Sequence, residues 1–229
     1  MNKVIVIFGA GTGLSASVAR LYGKQGYLVA LVARNKEKLQ LLSDDMSSNH
    51  IKSFTFIADL SKSEQVKMVI SEIYDSLGHI DILYYAPNPR DTFIPANELT
   101  SELLIPKINL YLFGLINVIQ EILPIFRKNN AGIILSAIGG SALEGFPYMS
   151  GLGPVMAASR NYLQALYKEL NEENIHIGLL TISAQIINSE NYKLTYQESS
   201  PFPSVHPDAL AKMLRDIADD VTKLEVLYP

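Results

Sequence analysis

"KVIVIFGAGTGLSAS", residues 3–17, joins three kinds of pattern in fifteen positions. Residues 3–8 are an almost unbroken β-branched and apolar run, as in a strand buried on both faces of a sheet. Gly9, Gly11 and Gly13 follow at alternate positions. From Leu14 the apolar residues Leu14, Val18, Leu21 and Tyr22 return on one helical face. A strand, a glycine turn and a helix are predicted in that order.

Outward from this stretch the same alternation continues. "YLVALVA" (27–33), "SFTFIA" (53–58), "IDILYYA" (80–86), "AGIILSAI" (131–138) and "IHIGLLTIS" (175–183) read as strands, and "LEVLYP" at the end as a seventh. Between them lie segments of helical period: 36–46; 61–77, where Ser61 and Glu64 have capping-box spacing; 99–127, where Pro106 is expected to bend the first part; and 154–173, with Pro154 suited to a first turn. Repeated strand and helix without internal repeats or a linker predict an α/β fold. We expect a single Rossmann domain over 1–229, doubly wound, with a seven-stranded parallel sheet and helices on both faces. Residues 184–206 are polar and rich in Ser, Tyr and Pro; a segment that long without periodicity is expected to be a substrate lid or a surface excursion.

Composition narrows the function. The 229 residues are 48% hydrophobic and 18% charged with a formal charge of −4, and the basic residues are scattered. Nucleic-acid binding is not expected on that pattern. There are no cysteines, and the four histidines have no ligand spacing, so no metal site is expected. Neither the apolar N-terminus nor the uncharged stretch 108–120 is long enough for a bilayer span, so the reading is a soluble, cytoplasmic protein without a membrane partner.

The glycine turn carries the first chemistry. Gly11, Gly13 and Ala16 fit G-x-G-x-x-G/A, and Gly9 with Gly13 fits a wider gap. In either spacing the missing side chains let backbone N–H groups of Gly9, Gly11, Thr12, Gly13 and Leu14 approach a pyrophosphate at a helix N-terminus. The bland alternative is a turn that only packs helix on strand. After the second strand comes "ARNKEKL", with Arg34 and Asn35 in place and no acid before Glu37. A guanidinium grips a ribose 2′-phosphate bidentately, where a carboxylate would repel it. This favours NADP(H) over NAD(H), against the alternative of an arginine merely opening a helix.

These residues resemble the short-chain dehydrogenase/reductase family over essentially the whole chain. Gly9, Gly13 and Ser15 occupy the positions of that family's glycine loop, with serine in the last. "ADL" (58–60) is similar to its Asp-x-aliphatic motif, which implies Asp59, with Leu60 beside it, near an adenine. "DILYYAPN" (81–88) lies where the family has an Asn-Asn-Ala-Gly turn after the fourth strand, with only Ala86 shared, which implies that Ala86 and Pro87 fall against the cofactor. "SAQIIN" (183–188) stands where Pro-Gly follows the sixth strand, which implies that the Ile186 backbone meets the nicotinamide carboxamide. The resemblance also implies a small-molecule substrate and a homodimer or homotetramer built through helices 99–127 and 154–173.

The catalytic positions depart from the pattern. The family uses Tyr-x-x-x-Lys, an upstream serine and an asparagine on the fourth helix. In ungapped register these fall on Leu152, Met156, Gly139 and Tyr111. None of the twelve tyrosines has a lysine four residues later. A positioned general acid or base contributes about 10² to 10⁴ in rate, and Met156 offers neither charge nor donor. Tyr148, one turn before Leu152, and Ser141, two residues after Gly139, are the substitute hydroxyls, with Tyr111, Tyr84 and Tyr85 also candidates to face the pocket. Tyr148 packing on Phe146 or Met149 is the competing reading. Three functions remain open at this level: a divergent NADP(H)-dependent oxidoreductase acting on a small carbonyl, alcohol or enone; a catalytically silent NADP(H) sensor; and an interaction protein without cofactor.

Overall fold

The computed structural model describes residues 2–88, 93–170, 172–190, 192 and 202–229. Seven parallel strands form one sheet: β1 (Val4–Phe8), β2 (Leu28–Ala33), β3 (Ser53–Ile57), β4 (Ile82–Tyr85), β5 (Gly132–Gly139), β6 (Ile175–Ile182) and, last in the chain, β9 (Glu225–Tyr228). Their spatial order is β3-β2-β1-β4-β5-β6-β9. The chain runs outward from β1 to β3, then returns to lay β4 against the other side of β1. The β1/β4 boundary is therefore the switch point, where a crevice opens at the C-terminal strand ends.

Strand alternation sends Ile5 and Ile7 to one face and Val4, Val6 and Phe8 to the other, all fully buried. The first face is covered by α1 (Leu14–Lys24), α2 (Lys36–Ser48) and α7 (Pro207–Asp219), through residues such as Tyr22, Leu39 and Leu214. The second is covered by α3 (Ser63–Leu77), α5 (Gly114–Asn129) and α6 (Gly153–Glu169), through Val66, Ile119 and Leu163. Burying one such side chain contributes about 1.5–3 kcal/mol, so both faces are strongly held.

Several expectations are corrected. Helix α3 begins at Ser63, not Ser61, and has no side-chain cap, because the Ser61 hydroxyl instead donates to the Asp59 carboxylate at 2.7 Å. The helix expected over 99–127 runs Ser101–Asn129 and comprises α4 (Ser101–Lys107), a π-helical stretch Ile108–Phe113, and α5. Its irregularity thus follows Pro106 rather than bending the first part. At 29 residues it is long and apolar enough to cross a membrane by length and composition, but Leu115, Val118, Ile122 and Phe126 of its stripe are spent on the core. Helix α6 ends at Glu169, short of the expected residue 173. The segment 184–206 is not wholly irregular: β7 (Gln185–Ile186) and β8 (Ser204–Val205) pair in parallel and pin its two ends. Residues 191 and 193–201 of it lie outside the described residues.

Candidate active site

Gly9 follows β1 at φ +89, and an added Cβ would lie 2.4 Å from the Cα of Pro87, just past β4. Only glycine permits both that backbone and that approach. Gly13 has φ +72, and a Cβ there would lie 2.9 Å from the Ser189 side chain. Gly11 is different, since an added Cβ would meet nothing within 4 Å. The steric demand of the loop falls on Gly9 and Gly13, the wider of the two spacings.

Helix α1, which Leu14 opens, has Gly13 as N-cap, no side-chain cap and no acid in its first turn. Its leading N–H groups and positive dipole end are thus left for an anion. The Ser15 hydroxyl is turned back onto the Gly9 carbonyl at 3.1 Å and fixes the loop. These features fit a dinucleotide pyrophosphate. Arg34 stands exposed just past β2, and Asn35 caps α2 by accepting the Lys38 amide at 2.8 Å. Asp59 follows β3. Partial burial raises its pKa, but the Ser61 hydroxyl and amide and the nearby Arg34 charge outweigh that and hold it below the usual value. Arg34 and Asp59 therefore lie near one another, past the C-terminal ends of β2 and β3. Leu60 is buried, and its carbonyl lies against Gly114, where a Cβ would come within 2.5 Å.

From Thr12 the crevice opens into a pocket of about 820 Å³. Ala86, Pro87, Ser141, Tyr148 and Ile186 all line it, and so do the four positions on which the ungapped register sets the family's catalytic groups: Gly139, Leu152, Met156 and Tyr111. The sulfur of Met156 accepts the Gly139 amide at 3.3 Å. The π-helical stretch disturbs the regular backbone pairing, and two carbonyls within it are taken by hydroxyls. Tyr85 donates to Leu110, and Ser159 donates to Tyr111 at 3.0 Å. Burial raises the pKa of both Tyr84 and Tyr85 well above the ordinary tyrosine value, so neither is a ready acid or base at neutral pH.

Tyr148 is not on the helix preceding Leu152. It sits in a turn at φ +65, 59% exposed, and its carbonyl accepts the Ile94 amide at 2.8 Å. Phe146 packs instead on Phe202, rings edge to face at 5.6 Å.

Sequence reading missed the clasp over the glycine loop. The Glu190 amide donates to the Thr12 hydroxyl at 3.2 Å, and its carboxylate pairs with Lys38 on α2. These partners are 178 and 152 residues apart, and no local pattern marks such a pair.

The strand order, the glycine turn at the switch point and the crevice define a dinucleotide-binding α/β fold. Residues 3–194 match the family described as short chain dehydrogenase, and the chain belongs to that family of oxidoreductases. Among curated relatives, an uncharacterized oxidoreductase of Listeria monocytogenes is 26% identical over 193 residues, covering 82% of this chain and 76% of the relative. A 3-oxoacyl-[acyl-carrier-protein] reductase of Bos taurus is 25% identical over 181 residues, covering 79% and 74%. Among solved structures, a metagenomic short-chain oxidoreductase in complex with NADP superposes with TM-score 0.82 at 18% identity, covering 99% of this chain and 96% of that one. The actinorhodin polyketide ketoreductase with NADPH reaches 0.89 at 16% identity, covering 99% and 95%.

Proposed function

We propose that the chain is a divergent NADP(H)-dependent oxidoreductase of a small carbonyl, alcohol or enone, working without the usual Ser-Tyr-Lys machinery. The observation that carries this is the uncapped α1 N-terminus behind Gly9 and Gly13, with Arg34 at the end of β2. Bound NADPH supplies a hydride. The residues of this chain bind and position: the α1 N-terminus and the Thr12 backbone hold the pyrophosphate, Arg34 the 2′-phosphate, and Ala86, Pro87 and Ile186 the nicotinamide end. Holding reactants at near-attack distance accelerates transfer without a protein base. Tyr148, Ser141 and Tyr111 line the pocket and would supply a hydroxyl to orient a substrate oxygen.

The test is titration with NADPH and NADH followed by nicotinamide fluorescence, then a turnover screen over carbonyls and enones. Tighter NADPH binding with turnover is the expected result; absence of binding by either nucleotide sinks the reading. A second reading, a catalytically silent NADP(H) sensor, draws on the apolar Leu152 and Met156 and on the Glu190 clasp, which ties the 184–206 segment to the cofactor loop. In that reading the lid reports occupancy to a partner, and tight binding without turnover favours it. We further propose a cytoplasmic homodimer or homotetramer through the helices at 101–129 and 153–169, where Leu103, Ile105 and Phe113 are exposed. Light scattering at micromolar concentration tests it, and a single monomeric species contradicts it.

A further inference from the structure

The pocket has a chemical bias that the oxidoreductase reading alone does not specify. Among its described lining residues there is no Asp, Glu, Lys, Arg or His. Its floor carries Leu115, Ile138, Leu152 and Met156. Its mouth carries aromatic rings that are not packed away: Phe93 is 54% exposed, and Tyr148 slightly more so. The mouth is built rather than loose. The Ile94 amide donates to the Tyr148 carbonyl at 2.8 Å, and the Ser150 hydroxyl donates back to the Ile94 carbonyl at 2.9 Å. That pair of bonds staples the segment bearing Phe93 to the turn bearing Tyr148. The edge-to-face Phe146–Phe202 pair joins the 146–148 turn to the far end of the 184–206 segment.

Three physical consequences follow. Away from Thr12 and the α1 N-terminus, a carboxylate or phosphate on a substrate would lose its water against this floor and mouth and find no described cation to replace it. An aromatic body would gain offset or edge-on ring contacts at the mouth and area burial on the floor. The volume of about 820 Å³ is shared between the nicotinamide end at Ala86, Pro87 and Ile186 and the substrate, which is therefore held against the apolar floor and the aromatic mouth.

We propose that the pocket selects an uncharged substrate with an aromatic or fused-ring body, an aryl ketone or aryl enone in chemical class, and discriminates against the same skeleton carrying an anion. The assignment rests on the oxidoreductase reading for the reaction but not for the recognition, and the experiment separates the two. Purified full-length chain, with and without NADPH, is titrated calorimetrically with 2-acetonaphthone and with 6-acetyl-2-naphthoate, which is ionised at neutral pH. NADPH binding is followed separately by its fluorescence. The expected result is measurable binding of the neutral ketone and binding of the anion weaker by tenfold or more on the order of a desolvated charge. Phe146→Ala and Phe202→Ala should each weaken the ketone by about threefold to tenfold. Phe146→Leu, which keeps apolar volume, should lose the same ring contribution if the alanine variant does not fold. Equal or tighter binding of the anion overturns the proposal, as does failure of the neutral ketone to bind under both conditions. If NADPH does not bind but the preference for the neutral ketone persists, the oxidoreductase reading fails and the recognition stands.

Discussion

The thioether of Met156 accepts the backbone amide of Gly139 at 3.3 Å, so the two positions that the ungapped register assigns to the family's lysine and serine touch one another. One partner is a weak acceptor and the other has no side chain. The contact closes the floor of the pocket with apolar atoms and satisfies the amide at the end of β5. On the proposed reading, this is the backbone frame of the catalytic helix without its ionisable groups.

That frame should accept the chemistry back. A Cβ added to Gly139 would lie 3.4 Å from the Met156 sulfur and 3.6 Å from the Ser141 hydroxyl, which is ordinary packing. The triple variant Gly139→Ser, Leu152→Tyr, Met156→Lys should raise NADPH-dependent reduction of 2-acetonaphthone by about 10² or more. Met156→Lys alone should give little, since an ammonium without a tyrosine beside it only adds charge. Steady-state NADPH oxidation checks both, and a triple variant that binds NADPH but gains no rate would show that the frame is displaced.

The glycine loop separates two kinds of glycine. Gly9→Ala forces an L-residue to φ +89 with its Cβ 2.4 Å from Pro87, and should cost at least about 2 kcal/mol. Gly11→Ala meets nothing within 4 Å and should change stability by no more than about 0.5 kcal/mol. Urea denaturation of the two variants measures the contrast; similar losses would mean that the loop's geometry is set elsewhere.

Arg34→Ala should weaken NADPH about tenfold to a hundredfold, the worth of charge-assisted bonds to a phosphate, and leave NADH nearly unchanged. The loss should shrink at high salt because Arg34 is exposed. A parallel loss for both nucleotides would place the guanidinium away from the 2′-position.

Helix α6, which carries Met156, is tied to the edge strand β9 by an ion pair. Arg160 donates to Glu225 at 2.8 and 2.7 Å, and Thr181 donates to the same carboxylate at 2.7 Å. Burial raises the Glu225 pKa, but the bonds from Arg160 and Thr181 outweigh it and the net shift is downward. With the folded value below the unfolded one, the stabilisation is present above an unfolded value of about 4.3. It is lost as pH falls through the folded value. Glu225→Gln should cost about 2 kcal/mol at neutral pH, because it strands a half-buried guanidinium, and should flatten the acid limb below about pH 4.3. Thermal melts across pH compare the two, and an unchanged acid limb would assign it to other carboxylates.

Much of this was legible beforehand for local reasons. Buried parallel strands show as apolar runs, so β1, β2, β4, β5 and β6 were found within one or two residues; the Gly9–Gly13 turn announced itself because it falls between strand and helix. Local patterns misled where a competing partner lay nearby, as at Ser61, which bonds to Asp59 instead of capping α3. Tyr148 was placed a helical turn before Leu152 because periodicity cannot see a residue at φ +65.

The sequence by itself determined the parallel α/β architecture and the family, because each depends on residue type at short spacing. The tertiary structure alone decided that Gly9 rather than Gly11 is sterically required, that Met156 reaches Gly139, that Tyr85 and Ser159 occupy carbonyls of the π-helical stretch, and that Glu190 clasps Lys38 over the glycine loop. Those facts depend on the distance between atoms remote in the chain. Such distances are fixed only when both sheet faces are packed and the strand ends converge at the switch point.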